Sequence, residues 1–275
     1  MSHAYNVKQS EEICKTLNVL QLKKVLSDVY LEHLKAVIHS VFMLGYKGKV
    51  VHTRLFSDKH RTSVSHFLNN GKWNSLQFEK TLKRQVIDRI YGESRKSSEP
   101  VFYIVDDTIA SHTKPSSQAM HPIEAAYYHQ SHLKKRQDYE HQAVGVMLSC
   151  NGLSLNYAIV LYDKTRSKIE IVQSIINELP KPPGSAYFFG DSWYTSNKLM
   201  DDFAQKGFET IGALRTNRII FPNEIRQQAK QFAPCICKDD PNVSLVTVGK
   251  RNYYVVSPAD KKSIGKSRIR DCFMV

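Results

Sequence analysis

The chain has 275 residues, 41% of them apolar and 10% aromatic, enough for one large domain or two smaller ones with a real core. Its most apolar N-terminal run, AVIHSVFMLGY (36–46), is far shorter than the about 20 residues that span a bilayer, and the opening MSHAYNVKQS lacks the apolar stretch of a secretory signal. The net charge of +13 points instead to a polyanionic partner.

The charge is unevenly placed. Residues 1–98 carry 17 Lys/Arg against 8 Asp/Glu, residues 99–200 carry 9 against 10, and residues 201–275 carry 13 against 8. A basic head, a neutral centre and a basic tail suit a nucleic acid held by the flanks while the centre performs another task. Five cysteines without a repeating spacing fit a reduced, cytoplasmic setting. Cys235 and Cys237 form a CxC pair, and no second pair stands at zinc-ligand spacing.

The first hundred residues read as helical. Leu22, Val25, Leu26, Val29, Val37, Ile38, Val41 and Leu44 approximate helical spacing, with a break expected near His33. In RTSVSHFLNNGKWNSLQFEKTLKRQVIDRIYG (61–92), Thr62 is expected to cap a short helix. Asn74, with Gln77 as reciprocal partner, is expected to cap a longer one that ends at Gly92. Lys80, Lys83, Arg84 and Arg89 fall on the longer helix. A short helix, a tight turn and a basic helix outline a helix-turn-helix DNA reader. The polar GESRKSSEP (92–100) is the expected linker, giving a helical DNA-binding region over 1–98 and a second domain over 99–275.

Beyond it the pattern changes. VFYIVDDT (101–108) is a strand. HQAVGVMLSC (141–150) and LSLNYAIVLYD (153–163) are strands joined by Asn151-Gly152, a strong hairpin signal. SKIEIVQSIINEL (167–179) is a helix, AYFFGD (186–191) a strand, TSNKLMDDFAQKG (195–207) a helix and FETIGALRT (208–216) a strand, and residues 243–275 are β-rich. Strand, hairpin, helix, strand, helix, strand describes an α/β fold with a mixed sheet and flanking helices.

Asp106 and Asp191 each follow a strand expected to be buried on both faces, at the sheet end where active sites are commonly built. Asp106 and Asp107 are neighbours and point to opposite faces, and Asp106 is taken as the inward one, with Thr108 beside it. Two converging carboxylates can hold hard cations such as Mg²⁺ or Mn²⁺. Such ions support phosphodiester displacement.

The segments IVDDT, GDSWYTS and IGALRTNRIIFP resemble the DDE transposases of bacterial insertion sequences, a group with a ribonuclease-H-like catalytic core. The resemblance covers roughly residues 60 to 260. It implies that Asp106 and Asp191 are the first two catalytic acids and metal ligands. It further implies metal-dependent cleavage at transposon ends and strand transfer into double-stranded target DNA, with a homodimer left open as the acting form. The fold expected is a ribonuclease-H-like mixed sheet preceded by an all-α region and followed by part of a β-rich insertion. The family's third acid is a glutamate with Tyr, Arg and Lys at set offsets. No glutamate follows Glu224, and neither Glu209 nor Glu224 has that setting, so the expectation is a copy cut short before it. A DNA-binding remnant or regulator is the alternative. A phosphatase of the haloacid dehalogenase type is a third reading, disfavoured because Thr108 stands where its Asp-x-Asp motif needs an acid.

For DNA contacts, Lys80, Lys83 and Arg84 are expected from the helical region, with Lys134, Lys135 and Arg136 from HQSHLKKRQDYEHQ (129–142). His129 and His132 in that segment are an alternative metal pair, less suited to phosphodiester chemistry than oxygen ligands. Arg215 and Arg218 follow a strand end. Trp193 is expected either to pack beneath the site or to meet a base. With DNA as partner, the cytoplasmic nucleoid is the expected location.

Overall fold

The computed structural model describes residues 3–45, 49–55, 57–112, 114, 123–131, 135–212, 215, 217–221, 224–235, 237, 239, 243–248, 251–256 and 273–274. Packing divides the chain into two units, Met1–Ile87 and Asp88–Val275.

The first unit is helical: α1 (His3–Val19), α2 (Asp28–Leu44), α3 (Arg61–Asn70) and the start of α4 (Ser75–Ser97), with 3-10 turns at Leu22–Lys24 and Val50–Leu55. Ile13, Leu17, Leu22, Leu26 and Leu31 form its core, against which Trp73, Phe78 and Leu82 pack. The break expected near His33 does not occur. His33 lies inside α2, buried with Ala36, His39 and Ser40, while Val29 and Val41 are exposed. The inner face of α2 therefore carries polar residues as well; of the apolar positions traced, Leu22, Leu26, Val25 and Ile38 do lie in or against the core, and Val29 and Val41 do not.

Two caps also differ from expectation. His60, not Thr62, caps α3, its Nδ1 accepting from the Thr62 backbone N–H. Asn74 does cap α4, its Oδ1 accepting from Gln77 N–H at 2.9 Å. Gly92 does not end α4, which continues through most of the expected linker to Ser97. A lone glycine costs a helix only about 1 kcal/mol, and Tyr91 and Ser94 on either side of it are buried.

The second unit is α/β with a mixed sheet. Its strands are β1 (Val101–Ser111), β2 (Tyr127–Ser131), β3 (Arg136–Cys150), β4 (Leu153–Leu161), β5 (Ala186–Gly190) and β6 (Glu209–Gly212). They run in the order β2-β3-β1-β5-β6, with β4 also on β3. β3 is antiparallel to β1, β2 and β4, whereas β1, β5 and β6 are parallel. Asn151 and Gly152, both at positive φ (46° and 78°), make the tight hairpin turn that joins β3 to β4. The parallel connections are made by α5 (Lys168–Glu178) and α6 (Asn197–Gln205). Ser167 and Ser196 cap these helices, Ser167 with a full capping box through Glu170.

The two helices cover one face of the sheet. Tyr103, Val105, Val146, Leu148 and Phe188 meet Ile171, Ile175, Ile176, Leu199 and Phe203 there, all buried, and the Phe188 and Phe203 rings stack at 3.8 Å. The strands are thus not buried on both faces as expected: along β1, buried residues alternate with half-exposed ones. The opposite face carries Phe102, Ile104, Tyr187 and Phe189 half-buried, with Met147, Ile159 and Leu161 exposed.

Farther along, β7 (Ile219–Ile220) pairs with β8 (Gln227–Gln228), followed by the short α7 (Ala229–Phe232). β9 (Val243–Val248), β10 (Arg251–Val256) and β11 (Phe273–Met274) form a three-stranded antiparallel sheet, in line with the β-rich end expected. No helix among the described residues is long and apolar enough to cross a membrane.

Candidate active site

The last parallel pair between β1 and β5 is Val105 with Gly190. One residue farther along stand Asp106, on β1, and Asp191, just past the end of β5; neighbouring strands lie about 4.8 Å apart. Paired residues of adjacent strands share a face, so Asp106 continues the row of Phe102 and Ile104 on the face that α5 and α6 leave open. Asp106 is exposed there with Thr108, not turned inward. Nor does β1 end at the acids: its pairing with β3 continues to Ser111, because Gly145, Val144 and Ala143 keep supplying ladder partners.

Each acid has one oxygen engaged locally. Asp106 Oδ1 accepts from Asp107 N–H at 2.8 Å, and Asp191 Oδ1 accepts from Trp193 N–H at 2.8 Å. A further bond, Tyr194 N–H to Asp191 O at 3.0 Å, closes the turn. Both carboxylates are exposed, and no hydrogen-bond or ion-pair partner is found for either Oδ2 among the described residues. Two hard oxygen donors at the same level of adjacent strands fit the ligand preference of a divalent cation. No group of three His, Cys, Asp or Glu that could hold a metal ion occurs among the described residues.

Two glycines let the Asp191 turn fold back on the sheet. A Cβ on Gly190 would stand 2.9 Å from Phe188 Cζ and from Tyr194 Cβ, and one on Gly212 would stand 2.3 Å from Thr195 Cγ2. These glycines are register partners. Tyr194 and Thr195 tuck against the ends of β5 and β6 and are 1% and 2% exposed.

Asp107, passed over in the sequence, is the acid that faces the helices. Tyr194 donates its hydroxyl to Asp107 Oδ1, and Lys168, the first residue of α5, donates to Oδ2. Burial first, then the bond to Asp107 and the charges of Asp107, Asp191 and Asp106, push the Tyr194 hydroxyl far above the usual tyrosine range, so it remains a donor. The sequence does hold one signal for this arrangement. A lysine at the first position of a helix opposes the helix dipole, and such a placement calls for a nearby acid.

The basic residues divide into groups. Arg215 lies over the Trp193 ring at 4.5 Å, and Lys168 Nζ lies 5.9 Å from the same ring. Arg218 donates to Thr195 O. Both arginines therefore reach the turn that carries Asp191. Trp193 is 61% exposed, which corrects the expectation that it packs beneath the acids: the turn places Tyr194 in the interior and Trp193 outside.

Lys135 and Arg136 are exposed at the β2–β3 turn, and Lys134 and His132 lie outside the described residues. His129 is on β2, its ring against Tyr127 rather than in any metal cluster. In the first unit Lys80 and Arg84 are exposed on α4. Lys83 is only 13% exposed and ion-paired to Glu79 at 2.7 Å, so it offers less charge outward than its spacing suggested. Cys235 and Cys237 are exposed free thiols.

The family model of the transposase DDE domain matches residues 97–261, more than half of the chain, and spans both acids. No curated protein matches the chain.

Proposed function

The chain belongs to the DDE transposase family, and from that membership we propose that it is the transposase of an insertion sequence, cleaving and joining double-stranded DNA at the ends of its element. One observation carries the proposal: Asp106 within β1 and Asp191 just past β5 stand at the same level of neighbouring parallel strands, both exposed, each with an oxygen that no described residue binds. The order β4-β3-β1-β5-β6, antiparallel in its first half and parallel in its second, is compatible with a ribonuclease-H-like core.

Asp106 and Asp191 would hold Mg²⁺ or Mn²⁺. Bound there, the ion supplies Lewis-acid stabilisation of the charge that develops on the scissile phosphate and leaving oxygen. The chain's own residues place the DNA. Trp193 offers an exposed ring, with Arg215 lying over it, beside the acids. Arg218, anchored on Thr195 O, braces the same turn. Lys135 and Arg136, with Lys134, would follow the phosphate backbone, adding affinity that falls with salt. In the first unit, α3 and α4 with the four-residue link between them keep the outline of a helix-turn-helix reader, to which Lys80 and Arg84, with a smaller share from Lys83, would add charge. A DNA partner places the protein at the nucleoid.

The test is nicking of supercoiled plasmid in Mn²⁺. The wild-type chain is expected to nick, and Asp106→Asn and Asp191→Asn to lose at least about 100-fold of the rate, as when charge stabilisation is removed from a site, while gel-shift binding persists. A second reading, DNA binding without cleavage, is favoured because no third His, Cys, Asp or Glu joins the pair in a metal-binding group among the described residues, the neighbouring Asp107 being turned to the other face and engaged by Tyr194 and Lys168. Glu209 lies on the rung of Tyr187, at the far end of β6 from Gly212 and Gly190, and Glu224 is an exposed turn residue. Binding by the wild-type chain with no nicking in either metal would establish that second reading.

A further inference from the structure

Asp107 stands next to Asp106 in sequence, yet its carboxylate is turned to the other face of the sheet. Its two oxygens are both engaged, one by Tyr194 and one by Lys168. Its side chain is 21% exposed and that of Lys168 19%, so the pair is largely shielded from solvent. Tyr194 is three residues beyond Asp191, and its own N–H bonds to Asp191 O. A single set of contacts therefore runs from the residue after Asp106, across the end of the sheet, to the turn that orients Asp191.

Resting on the two-acid reading above, we infer that Asp107, Tyr194 and Lys168 are positioning residues, a clamp that fixes the turn of Asp191 against β1 and so sets the separation of the two carboxylates. Asp106 needs no such help, since it lies within the β1–β3 ladder, which continues past it to Ser111. Asp191 lies one residue past the end of β5, where the ladder no longer holds it. Two hydrogen bonds within its turn set its local shape, and the clamp ties that shape to the strand of its partner. Lys168 serves the clamp from a helix position that repels cations, and no other carboxylate is found bonded to it among the described residues.

The experiment uses the full chain and two readouts. The first is hydrogen–deuterium exchange of the amides at 191–195, which depends on neither metal nor activity. Tyr194→Phe and Asp107→Asn are expected to raise that exchange about tenfold relative to the sheet amides of β1, as the loss of a shielded bond to a charged group implies. The second is Mn²⁺ affinity, read as free Mn²⁺ by electron paramagnetic resonance. Tyr194→Phe and Lys168→Met are expected to weaken it about three- to tenfold, a partial loss of preorganisation, with Lys168→Arg restoring it to within about twofold and Asp106→Asn abolishing it. Unchanged exchange at 191–195 in both clamp variants would overturn the inference. So would loss of Mn²⁺ binding in Asp107→Asn as complete as in Asp106→Asn, since Asp107 would then be a ligand. If the wild-type chain binds no Mn²⁺ while exchange rises in the clamp variants, the clamp stands and the metal reading above fails.

Discussion

The two faces of the sheet in the second unit are made by alternate residues of the same strands, yet they have opposite characters. On one face Tyr103, Val105, Leu148 and Phe188 are sealed under α5 and α6. On the other, Phe102, Ile104 and Phe189 are half-buried, Ile159 is 63% exposed, and the row ends in Asp106. Asp106 and Asp107 divide between the faces accordingly: the first is exposed with one oxygen that no described residue binds, the second is shielded with both oxygens taken. Their difference shows that adjacency in sequence separates roles in a strand rather than doubling one, because successive side chains serve different surroundings.

The contrast between the faces can be broken most strongly from the covered side. Phe203→Ala removes a ring that stacks on Phe188 and touches Tyr103, and is expected to cost about 3–5 kcal/mol of stability in a denaturant titration. Gly190→Ala pushes a methyl group toward Phe188 and Tyr194 at 2.9 Å and is expected to cost about 1–3 kcal/mol, the usual range for overpacking. On the open face, Ile159→Thr is expected to change stability by no more than about 0.5 kcal/mol. A loss there as large as that of Phe203→Ala would mean that the open face is a second core.

The smallest effect sharpens the contrast through pH. His129 lies on the helix-covered side of β2, where burial first, then the charges of Lys164 and Lys168, hold its imidazole below the usual pKa. Below about pH 6.5, the ordinary histidine value, the unfolded chain binds a proton that the folded chain refuses. Stability from this group is therefore present above that pH and is lost as pH falls through the folded value. Melting curves at pH 7.5 and 5.5 should show a smaller acid-induced drop for His129→Gln than for the wild type.

Much of the second unit was legible in advance, for identifiable reasons. Asn151-Gly152 demands positive φ at two successive positions, and the hairpin followed. The segments SKIEIVQSIINEL and TSNKLMDDFAQKG read as the helices α5 and α6, and the apolar runs as β1 and β5. Asp106 and Asp191 stood out because acids closing apolar runs are unusual. Their side-by-side placement needed the parallel register of β1 with β5, which no local pattern encodes. The inward choice for Asp106 failed because it assumed that the strand was sealed on both faces, when α5 and α6 seal one. Tyr194 was hidden as one more aromatic residue in an aromatic stretch. In the first unit the buried His33, His39 and Ser40 of α2 carried no apolar signal, and Gly92 did not stop a helix whose neighbouring residues are buried.

Gly190 and Gly212 face each other across two parallel strands, with the Asp191 turn folded over both. Every single-nucleotide change in a glycine codon that alters the residue introduces at least a Cβ, or ends translation. At these two positions every one-step change of residue accordingly sets a carbon against Tyr194 or Thr195 of that turn, closer than an ordinary carbon contact. Any change of residue at either position therefore presses on the turn that carries Asp191.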